Sequence, residues 1–358
     1  MKFFNLDLHI AVIADIKRIF EDLGHQVDDW TLSGHSWAMG RSPDKVDVVS
    51  AANWHSLDED MCDAFYERYK DELSQYDGFI CTYAPSFCLL YKKFKKPIIT
   101  VAPIRYEAPF WDDKEKWEWL NEYLKDGIDS GLIIPIANNK CDKKYCETYT
   151  QREWKHIPSL CEYTESLYEP KQSSFLYHSL LPLHTLHYDP IIQNKKEALG
   201  PHYKWHELTE YRGIVHIPYN VSTMSIFENY TSGMPLFFPS LDFMLKLRKS
   251  FGNMGILNQL SWREVWGLPP GTIISGPSSE ADINNYGDVG QERSWIELAD
   301  FYDEEWMPHI NYFDSFHELS AMLNTVDTAA ISQNMLSFNK IRKERVYGLW
   351  RDVLRNIS

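Results

Sequence analysis

The sequence contains no apolar run of the roughly 18–20 residues that a membrane-spanning helix requires. Its start, MKFFNLDLHI, places Asp7 where a secretory signal peptide would need apolar side chains, so we expect no export signal. Six cysteines are few for 358 residues, and no G-x-G-x-x-G fingerprint follows a predicted strand. These absences argue against a membrane-spanning protein, a disulfide-rich secreted protein and a dinucleotide-binding domain. We expect a cytoplasmic location.

Basic residues are also in the minority. The chain has 36 Lys and Arg against 51 Asp and Glu, a formal net charge of −15 at pH 7. Such an acidic chain repels nucleic-acid backbones and anionic lipid, which argues against general binding to either. Any anionic ligand must therefore be held by a local arrangement, such as a helix N-terminus or a few basic side chains.

Short apolar runs alternate with amphipathic stretches through the first half. KFFNLDL predicts a strand and HIAVIADIKRIFEDLG a helix, in which isoleucines recur at helical spacing before Gly24 at the expected C-cap. The runs DGFICTY, KPIITVAP and GLIIPIANN predict further strands, and APSFCLLYKKF predicts a short helix. Because these strand runs are continuously apolar, we expect strands buried on both faces, in a parallel sheet flanked by helices.

The order of elements starts again near Lys171, after the connector HIPSLCEYTESLYEPKQ. SSFLYHS, YRGIVHIPY and MPLFFPS predict strands, and QNKKEALG and STMSIFENYTSG predict helices. We therefore predict an α/β fold of two doubly wound, Rossmann-like domains with parallel sheets, residues 1–170 and 171–335, that face a central cleft. Residues 336–358 predict the end of a long amphipathic helix suited to lie against another domain.

The most informative stretch is GIVHIPYNVSTMSIFENYTSGMPLFFPS, residues 213–240. A buried strand ends near His216, Asn220 and Ser222 are suitable caps, and a helix begins near Thr223. The N–H groups and positive dipole end of that helix suit a diphosphate without much net positive charge. Glu228 lies one to two turns further on. Its carboxylate can accept hydrogen bonds from the hydroxyls of a ribose, or it is simply a solvated helix residue.

The spacing of Glu228, Gly233 and Pro235 in ENYTSGMPLFFPS resembles the E-x4-G-x-P signature of GT-B glycosyltransferases. In that family the segment binds the nucleotide of the sugar donor, with the glutamate on the ribose and the helix start on the diphosphate. The resemblance implies a nucleotide-diphosphate sugar as co-substrate, with no tightly bound cofactor and no required metal ion. It also implies that the terminal helix, residues 336–358, crosses back to the first domain. The nucleotide-binding residues it implies are Asn220, Ser222, Thr223, Met224, Ser225 and Glu228.

Two further observations refine the resemblance. The amino half, with DLHIAVIADIK and APIRYEAPF, is similar to glycosyltransferases of bacteria and large algal viruses. Many retaining GT-B members carry a first glutamate eight positions before the ribose glutamate, and here that position is Asn220. Recognition of the donor sugar by that carboxylate, and a retaining stereochemistry, therefore do not follow from the resemblance.

Candidate catalytic residues follow the apolar strands of the first half. His9 occupies the position where inverting GT-B enzymes commonly place the histidine that deprotonates the acceptor hydroxyl. An imidazole with a pKa near 6.5 suits that role, and a histidine that only caps the first helix is the equal alternative. Asp7 would share a face with His9 on a continuing strand and is a further candidate for contacting acceptor or phosphate. Arg105 and Glu107 are candidates for contacting acceptor or phosphate, with Glu107 a second catalytic candidate; a structural ion pair is the alternative.

Metal binding is not expected at any of the three possible sites. Cys141 and Cys146 have four residues between them, but no second Cys/His pair follows at zinc spacing. The acidic run 58–60 mimics a manganese-binding D-x-D motif, but its surroundings are typical of a capped helix start. The third possible metal site consists of His184, His187 and Asp189, for which we favour instead a loop that lines the donor side. In that loop His184 is a candidate for contacting acceptor or phosphate.

Three classes of function compete for these features. The leading hypothesis is a glycosyltransferase that transfers a sugar from a nucleotide-diphosphate sugar to an acceptor hydroxyl, with a glycan as the expected acceptor. The alternative is a non-catalytic, two-domain α/β protein that closes on a small ligand. A nucleotide-sugar epimerase or dehydrogenase is disfavoured because the dinucleotide fingerprint is missing.

Overall fold

The computed structural model describes residues 1–104, 106–110, 113–182, 190–251, 256–257, 293 and 296–357. They form two compact units. The first contains Met1–Ser159 and the residues from Arg345 onward, and the second contains the described residues between Leu160 and Glu344. The division precedes the predicted boundary at residues 170–171, because the connector already contacts second-unit backbone. The N–H of Tyr168, for example, donates to the carbonyl of Ser232 at 2.8 Å.

A parallel sheet forms the centre of the first unit. Its strands are β1 (Lys2–Asp7), β2 (Gln26–Thr31), β3 (Gly78–Cys81), β4 (Ile98–Ala102), β5 (Ile133–Ala137) and β6 (Lys155–His156). They lie in the order β2-β1-β3-β4-β5-β6. Every residue of β3 and β4 is buried, as their continuously apolar sequences predict for strands covered on both faces.

Helices connect these strands: α1 (Ile10–Asp22), α2 (Glu59–Leu73), α3 (Lys114–Asp129) and α4 (Lys140–Thr150). The last three begin at side-chain N-caps, because Asp58, Asp113 and Asn139 each accept a hydrogen bond from a first-turn N–H. The run APSFCLLYKKF forms a 3-10 helix, Pro85–Phe94. None of the helices in the described part of the chain is both long and apolar enough to cross a membrane.

The second unit has a parallel sheet of its own. Its described strands are β7 (Phe175–His178), β8 (Ile192–Asn194), β9 (Ile214–His216), β10 (Leu236–Pro239) and β11 (Asn311–Phe313), in the order β11-β10-β9-β7-β8. The described helices are α5 (Lys195–Leu199), α6 (Trp205–Thr209), α7 (Met224–Thr231), α8 (Leu241–Phe251), α9 (Phe316–Thr325) and α10 (Thr328–Arg355). The two parallel sheets confirm the predicted fold class of two Rossmann-like domains.

Both sheets reverse their strand order at one place. In the first, β2 and β3 lie on opposite sides of β1; in the second, β8 and β9 lie on opposite sides of β7. Open α/β sheets bind ligands beyond the carboxyl ends of the strands at such a switch point. These ends carry Asp7 and Cys81 in the first sheet, and His178 and His216 in the second.

The helix α7 ends at a glycine that the surrounding packing requires. Gly233 has a φ of +75°, which side-chain-bearing residues rarely adopt. A Cβ at this position would also lie 2.7 Å from Cγ of Leu336 on α10. Only glycine meets both conditions, and the glycine of the E-x4-G-x-P pattern therefore has a structural explanation.

The C-terminal helix α10 contributes to both units. Arg342 is fully buried and donates to Oγ1 of Thr231 at 3.0 Å within the second unit. Five residues later, the hydroxyl of Tyr347 donates to Oδ2 of Asp22 at 2.7 Å within the first unit. Trp350 packs edge-on against Phe20, with ring centroids 5.2 Å apart.

Candidate functional site

The start of α7 has the form of an anion-binding helix N-terminus. Thr223 is the N-cap residue, but its side chain makes no capping hydrogen bond, and its Oγ1 lies 3.0 Å from Oγ of Ser225. The first turn contains no acidic residue. The positive end of the helix dipole is therefore not neutralised by first-turn side chains. Among the other predicted nucleotide-binding residues, Asn220, Ser222 and Met224 are buried.

Glu228, the predicted ribose-binding residue, is half-buried and held in place by two aromatic side chains. The hydroxyl of Tyr163 donates to its Oε1 at 2.5 Å, and the side chain of Trp205 donates to it as well. Burial raises the pKa of Glu228, whereas these two hydrogen bonds and the charge of Lys195 act in the opposite direction. A carboxylate has about four lone-pair positions, so about two remain for the hydroxyls of a ligand.

Three basic side chains lie at the ends of neighbouring strands in the second sheet. His178 ends β7 and is the register partner of His216, which ends β9. Lys195 begins α5 directly after β8, on the other side of β7. We refer to His178, Lys195 and His216 as the basic cluster. In a chain with a net charge of −15, the cluster is a local set of basic groups that could contact an anionic ligand.

Burial keeps part of the basic cluster uncharged. His216 is 1% exposed and Lys195 is 8% exposed. Burial lowers the pKa of His216 to about 3 and that of Lys195 to about 8, and it also lowers the pKa of His178. The charge of Lys195 depresses the pKa values of both histidines further. At pH 7 the two imidazoles are therefore neutral, while the lysine remains largely charged.

The sequence did not lead us to His178 or Lys195. The strand β8 has only three residues and no apolar run, so it was not predicted, and Lys195 could not be placed at a strand end. A usable signal was present for His178, because it ends the predicted strand SSFLYHS. Polar residues that directly follow predicted parallel strands are natural candidates for the ligand-binding edge.

The first unit places His9 at its own switch point. His9 is the N-cap residue of α1, but its side chain makes no capping hydrogen bond, which disfavours the alternative of a purely capping histidine. The ring is exposed and lies 6.0 Å from that of Tyr83, which follows β3. Surrounding protein atoms lower the pKa of His9, and the nearby His35 acts in the same direction. Since the ring is exposed, we expect water to moderate this depression. Either way the imidazole is neutral at pH 7, as a general base must be.

Asp7 is fully buried rather than presented to a ligand. Its Oδ1 accepts a hydrogen bond from Oγ1 of Thr31 at 3.2 Å, and the backbone N–H of His9 also donates to the carboxyl group. Burial and the negative charge of Asp29 raise the pKa of Asp7 to about 8. These hydrogen bonds connect Asp7 to β2 and to the start of α1. A direct contact with acceptor or phosphate stays a prediction.

Glu107 follows β4 and is also nearly fully buried, at 3% exposure. The hydroxyl of Tyr145, on α4, donates to its Oε1 at 2.5 Å. A catalytic role for Glu107 stays a prediction. Arg105 and His184 lie outside the described residues, as do His187 and Asp189.

Two observations bear on metals and on thiols. Within the residue ranges given above, no group of three or more His, Cys, Asp or Glu residues could hold a metal ion. Cys141 and Cys146 are buried, reduced thiols on α4.

Comparison with known proteins gives structural matches only. No protein-family model matches the chain, and no curated protein matches it significantly. Among solved structures, the chain is similar to the glycotransferase of kitacinnamycin, with 10% identity and a TM-score of 0.44 over 100% of this chain and 98% of that one. The calicheamicin glycosyltransferase CalG4 is 11% identical, with a TM-score of 0.38 over 99% of this chain and 98% of that one. The glycosyltransferase SnogD from Streptomyces nogalater is 12% identical, with a TM-score of 0.36 over 95% of this chain and 99% of that one. Each of the three is described as a glycosyltransferase or glycotransferase.

Proposed function

We propose that this protein is a glycosyltransferase that transfers a sugar from a nucleotide-diphosphate sugar to an acceptor hydroxyl, with a glycan as acceptor. One observation carries the proposal: the uncapped start of α7, the basic cluster and the Glu228 carboxylate all belong to the β7–β9 region of the second sheet. A nucleoside diphosphate presents complementary groups, namely two phosphates and a pair of vicinal ribose hydroxyls.

In the proposed donor site, different protein groups bind the diphosphate and the ribose of the nucleotide. The first-turn N–H groups of α7 and the basic cluster bind the diphosphate, since the helix N-terminus and the Lys195 ammonium supply positive potential in an otherwise acidic chain. The free lone pairs of Glu228 accept hydrogen bonds from the ribose. Lys195 favours the ionised form of Glu228, which is the better acceptor.

In the proposed reaction the acceptor oxygen attacks the anomeric carbon of the donor sugar. The bond from that carbon to the phosphate oxygen breaks, and its electron pair leaves with the nucleoside diphosphate. Helix N–H groups and basic side chains stabilise the charge that develops on this leaving group. For inversion of configuration, a base must take the acceptor proton, and the neutral imidazole of His9 is our candidate, with Glu107 the second.

A thermal-shift comparison of UDP-glucose, GDP-mannose and a CMP-sugar tests the proposal directly. A ligand at one hundred times its dissociation constant stabilises the native state by about 2.7 kcal/mol. We expect a rise in Tm with one of the nucleotide-diphosphate sugars and a smaller rise, or none, with the parent nucleoside, which lacks the diphosphate. Equal Tm values with and without all three sugars would overturn the proposal.

A further inference from the structure

The two histidines of the basic cluster form an unusual pair. Their rings stack with centroids 4.4 Å apart and 14° between the planes. Both ring nitrogens of His216 and Nδ1 of His178 are buried and make no hydrogen bond to the residues that the structure describes. Buried polar atoms of native proteins almost always have a partner, so these three nitrogens indicate a place for a ligand or ordered water.

The groups that face this pair come from several elements. Lys195, at the start of α5, acts on both rings through its positive charge. Its own ammonium lies 4.6 Å from the ring centre of Tyr203 and is influenced by Glu228 on α7. From β10, Phe238 contacts His216 with a centroid distance of 5.1 Å and contributes no charge. Apart from the two histidines themselves, the titratable neighbour whose charge acts on the pair is thus a cation.

We infer that the His178–His216 pair binds the diphosphate of the nucleotide sugar and takes up a proton as it does so. The inference rests on the proposed function and specifies how the donor site recognises its ligand. Without an anion, a proton on either ring would face its stacked partner and the ammonium of Lys195 in a buried site. A diphosphate carries about two negative charges, which reverses the sign of the local potential and favours an imidazolium.

Neutral histidines could also bind phosphate, and this alternative makes a different prediction. Each neutral imidazole has one N–H that can donate to a phosphate oxygen without any change of protonation. In that case affinity would be independent of pH between 5.5 and 8 as far as the pair is concerned. Proton uptake, by contrast, makes affinity rise as the pH falls.

Isothermal titration calorimetry distinguishes these two cases. UDP-glucose or GDP-mannose, whichever stabilises the protein, is titrated at pH 6.5 in two buffers with different ionisation enthalpies. The intact sugar is used because a free nucleoside diphosphate has a terminal phosphate that itself titrates near pH 6. We expect uptake of a measurable fraction of a proton, at most about one, for each nucleotide sugar bound. Equal binding enthalpies in both buffers would overturn the inference.

Variants assign the proton to the pair. His216→Gln keeps a hydrogen-bonding side chain that cannot be protonated, and His178→Gln is the second variant in case the first does not fold. We expect either variant to abolish proton uptake and weaken binding about 10-fold or more at pH 6.5. The matched control is His317→Gln, an exposed histidine on α9 that should leave both values unchanged. Uptake that persists in both pair variants would contradict the assignment.

A second readout separates failure of this inference from failure of the proposed function. If no nucleotide sugar binds, the proposed function is overturned, and NMR titration of the histidine ring protons still decides the inference. Sulfate serves there as a dianion that does not titrate above pH 3. We expect 0.1 M sulfate to raise the pKa of His178 or His216 relative to sodium chloride of equal ionic strength. Unchanged values would exclude an anion-linked proton at this pair.

Discussion

The hydroxyl of Tyr163 donates a 2.5 Å hydrogen bond to Oε1 of Glu228. This bond connects the segment that begins at Leu160 to α7, the helix of the proposed donor site. The same segment is tied to the end of that helix, because Oγ1 of Thr231 donates to the carbonyl of Leu160. A carboxylate oriented by two protein donors loses little freedom when it binds a further hydroxyl. This arrangement makes Glu228 a preorganised acceptor.

Replacing Glu228 with alanine should weaken nucleotide binding and leave the fold intact. The substitution removes the acceptor for the ribose hydroxyls, and unpaired hydroxyls should cost about 1–3 kcal/mol of binding free energy. Calorimetry with the nucleotide sugar identified by thermal shift measures this difference. Unchanged affinity in a folded Glu228→Ala protein would mean that the donor site lies elsewhere.

Tyr163→Phe tests the orientation of Glu228 without removing its carboxylate. It removes only the hydroxyl that orients Glu228 and keeps the ring that packs against Trp205 at a centroid distance of 5.6 Å. We expect a smaller loss of affinity than in Glu228→Ala, about 0.5–1.5 kcal/mol, because the ribose keeps its acceptor. A loss as large as that of Glu228→Ala would instead assign the tyrosine a direct contact with the nucleotide.

His9→Ala should lower kcat by about 10²–10⁴-fold, the usual contribution of a positioned general base. Its effect on the binding of the nucleotide sugar should be small, since the donor-site residues belong to the second unit. Steady-state kinetics and calorimetry on the same preparation measure the two quantities. A folded variant with near-normal turnover would remove His9 from the mechanism. Attention would then turn to Glu107, or to a retaining pathway that needs no protein base.

Asp7 predicts a specific pH dependence of stability. Its pKa is raised from 3.8 to about 8 in the native state, so the native state binds more protons than the unfolded state between these values. The free energy of unfolding contributed by Asp7 therefore falls as the pH rises from 4 to 8. Asp7→Asn mimics the protonated acid and should equal the wild type near pH 4. It should exceed the wild type by about 5 kcal/mol at pH 8, because each pKa unit corresponds to about 1.4 kcal/mol. Urea unfolding at both pH values is the measurement, and a pH-independent difference would contradict the assignment.

Gly233→Ala should be destabilising for two separable reasons. The positive φ costs about 1 kcal/mol for a residue with a side chain, and the new Cβ meets Leu336 at 2.7 Å. We expect a total of about 2–4 kcal/mol in urea unfolding. The matched control is Gly24→Ala, which has a φ of +83° but no atom within 4 Å of the new Cβ. A similar loss in both variants would show that the contact with Leu336 relaxes without cost.

The sequence was sufficient to predict the helices and strands whose own residues show a clear periodic or apolar pattern. Ile10–Asp22 follows the helical spacing of its isoleucines, and the buried strands β3 and β4 follow their continuous apolar runs. Pro85–Phe94 has a helical composition, but its hydrogen bonds follow the tighter 3-10 pattern, a distinction that depends on tertiary packing. The three-residue strands β8 and β11 carry almost no periodic signal, so pairing with neighbours, rather than propensity, defines them.

The candidate site was predictable to a similar, limited extent. The strand–helix–strand context of Glu228 is readable from local sequence, because caps, spacing and the closing glycine all lie within twenty residues. The basic cluster cannot be predicted from local sequence. Its members, His178, Lys195 and His216, come together only through the register and order of three strands. The hydrogen bond between Asp7 and Thr31 likewise depends on the register of β1 and β2, which sequence spacing does not reveal.

The division of α10 between the two units has a consequence for how the chain folds during synthesis. Residues from Arg345 onward complete the first unit, with Trp350 against Phe20 and Tyr347 bonded to Asp22, yet the ribosome makes them after the whole second unit. The amino-terminal half therefore emerges with the Phe20 side of α1 uncovered and waits for a helix about 320 residues downstream. A fragment that ends at Ser159 should need a peptide spanning 345–357, supplied in trans, to reach its native packing.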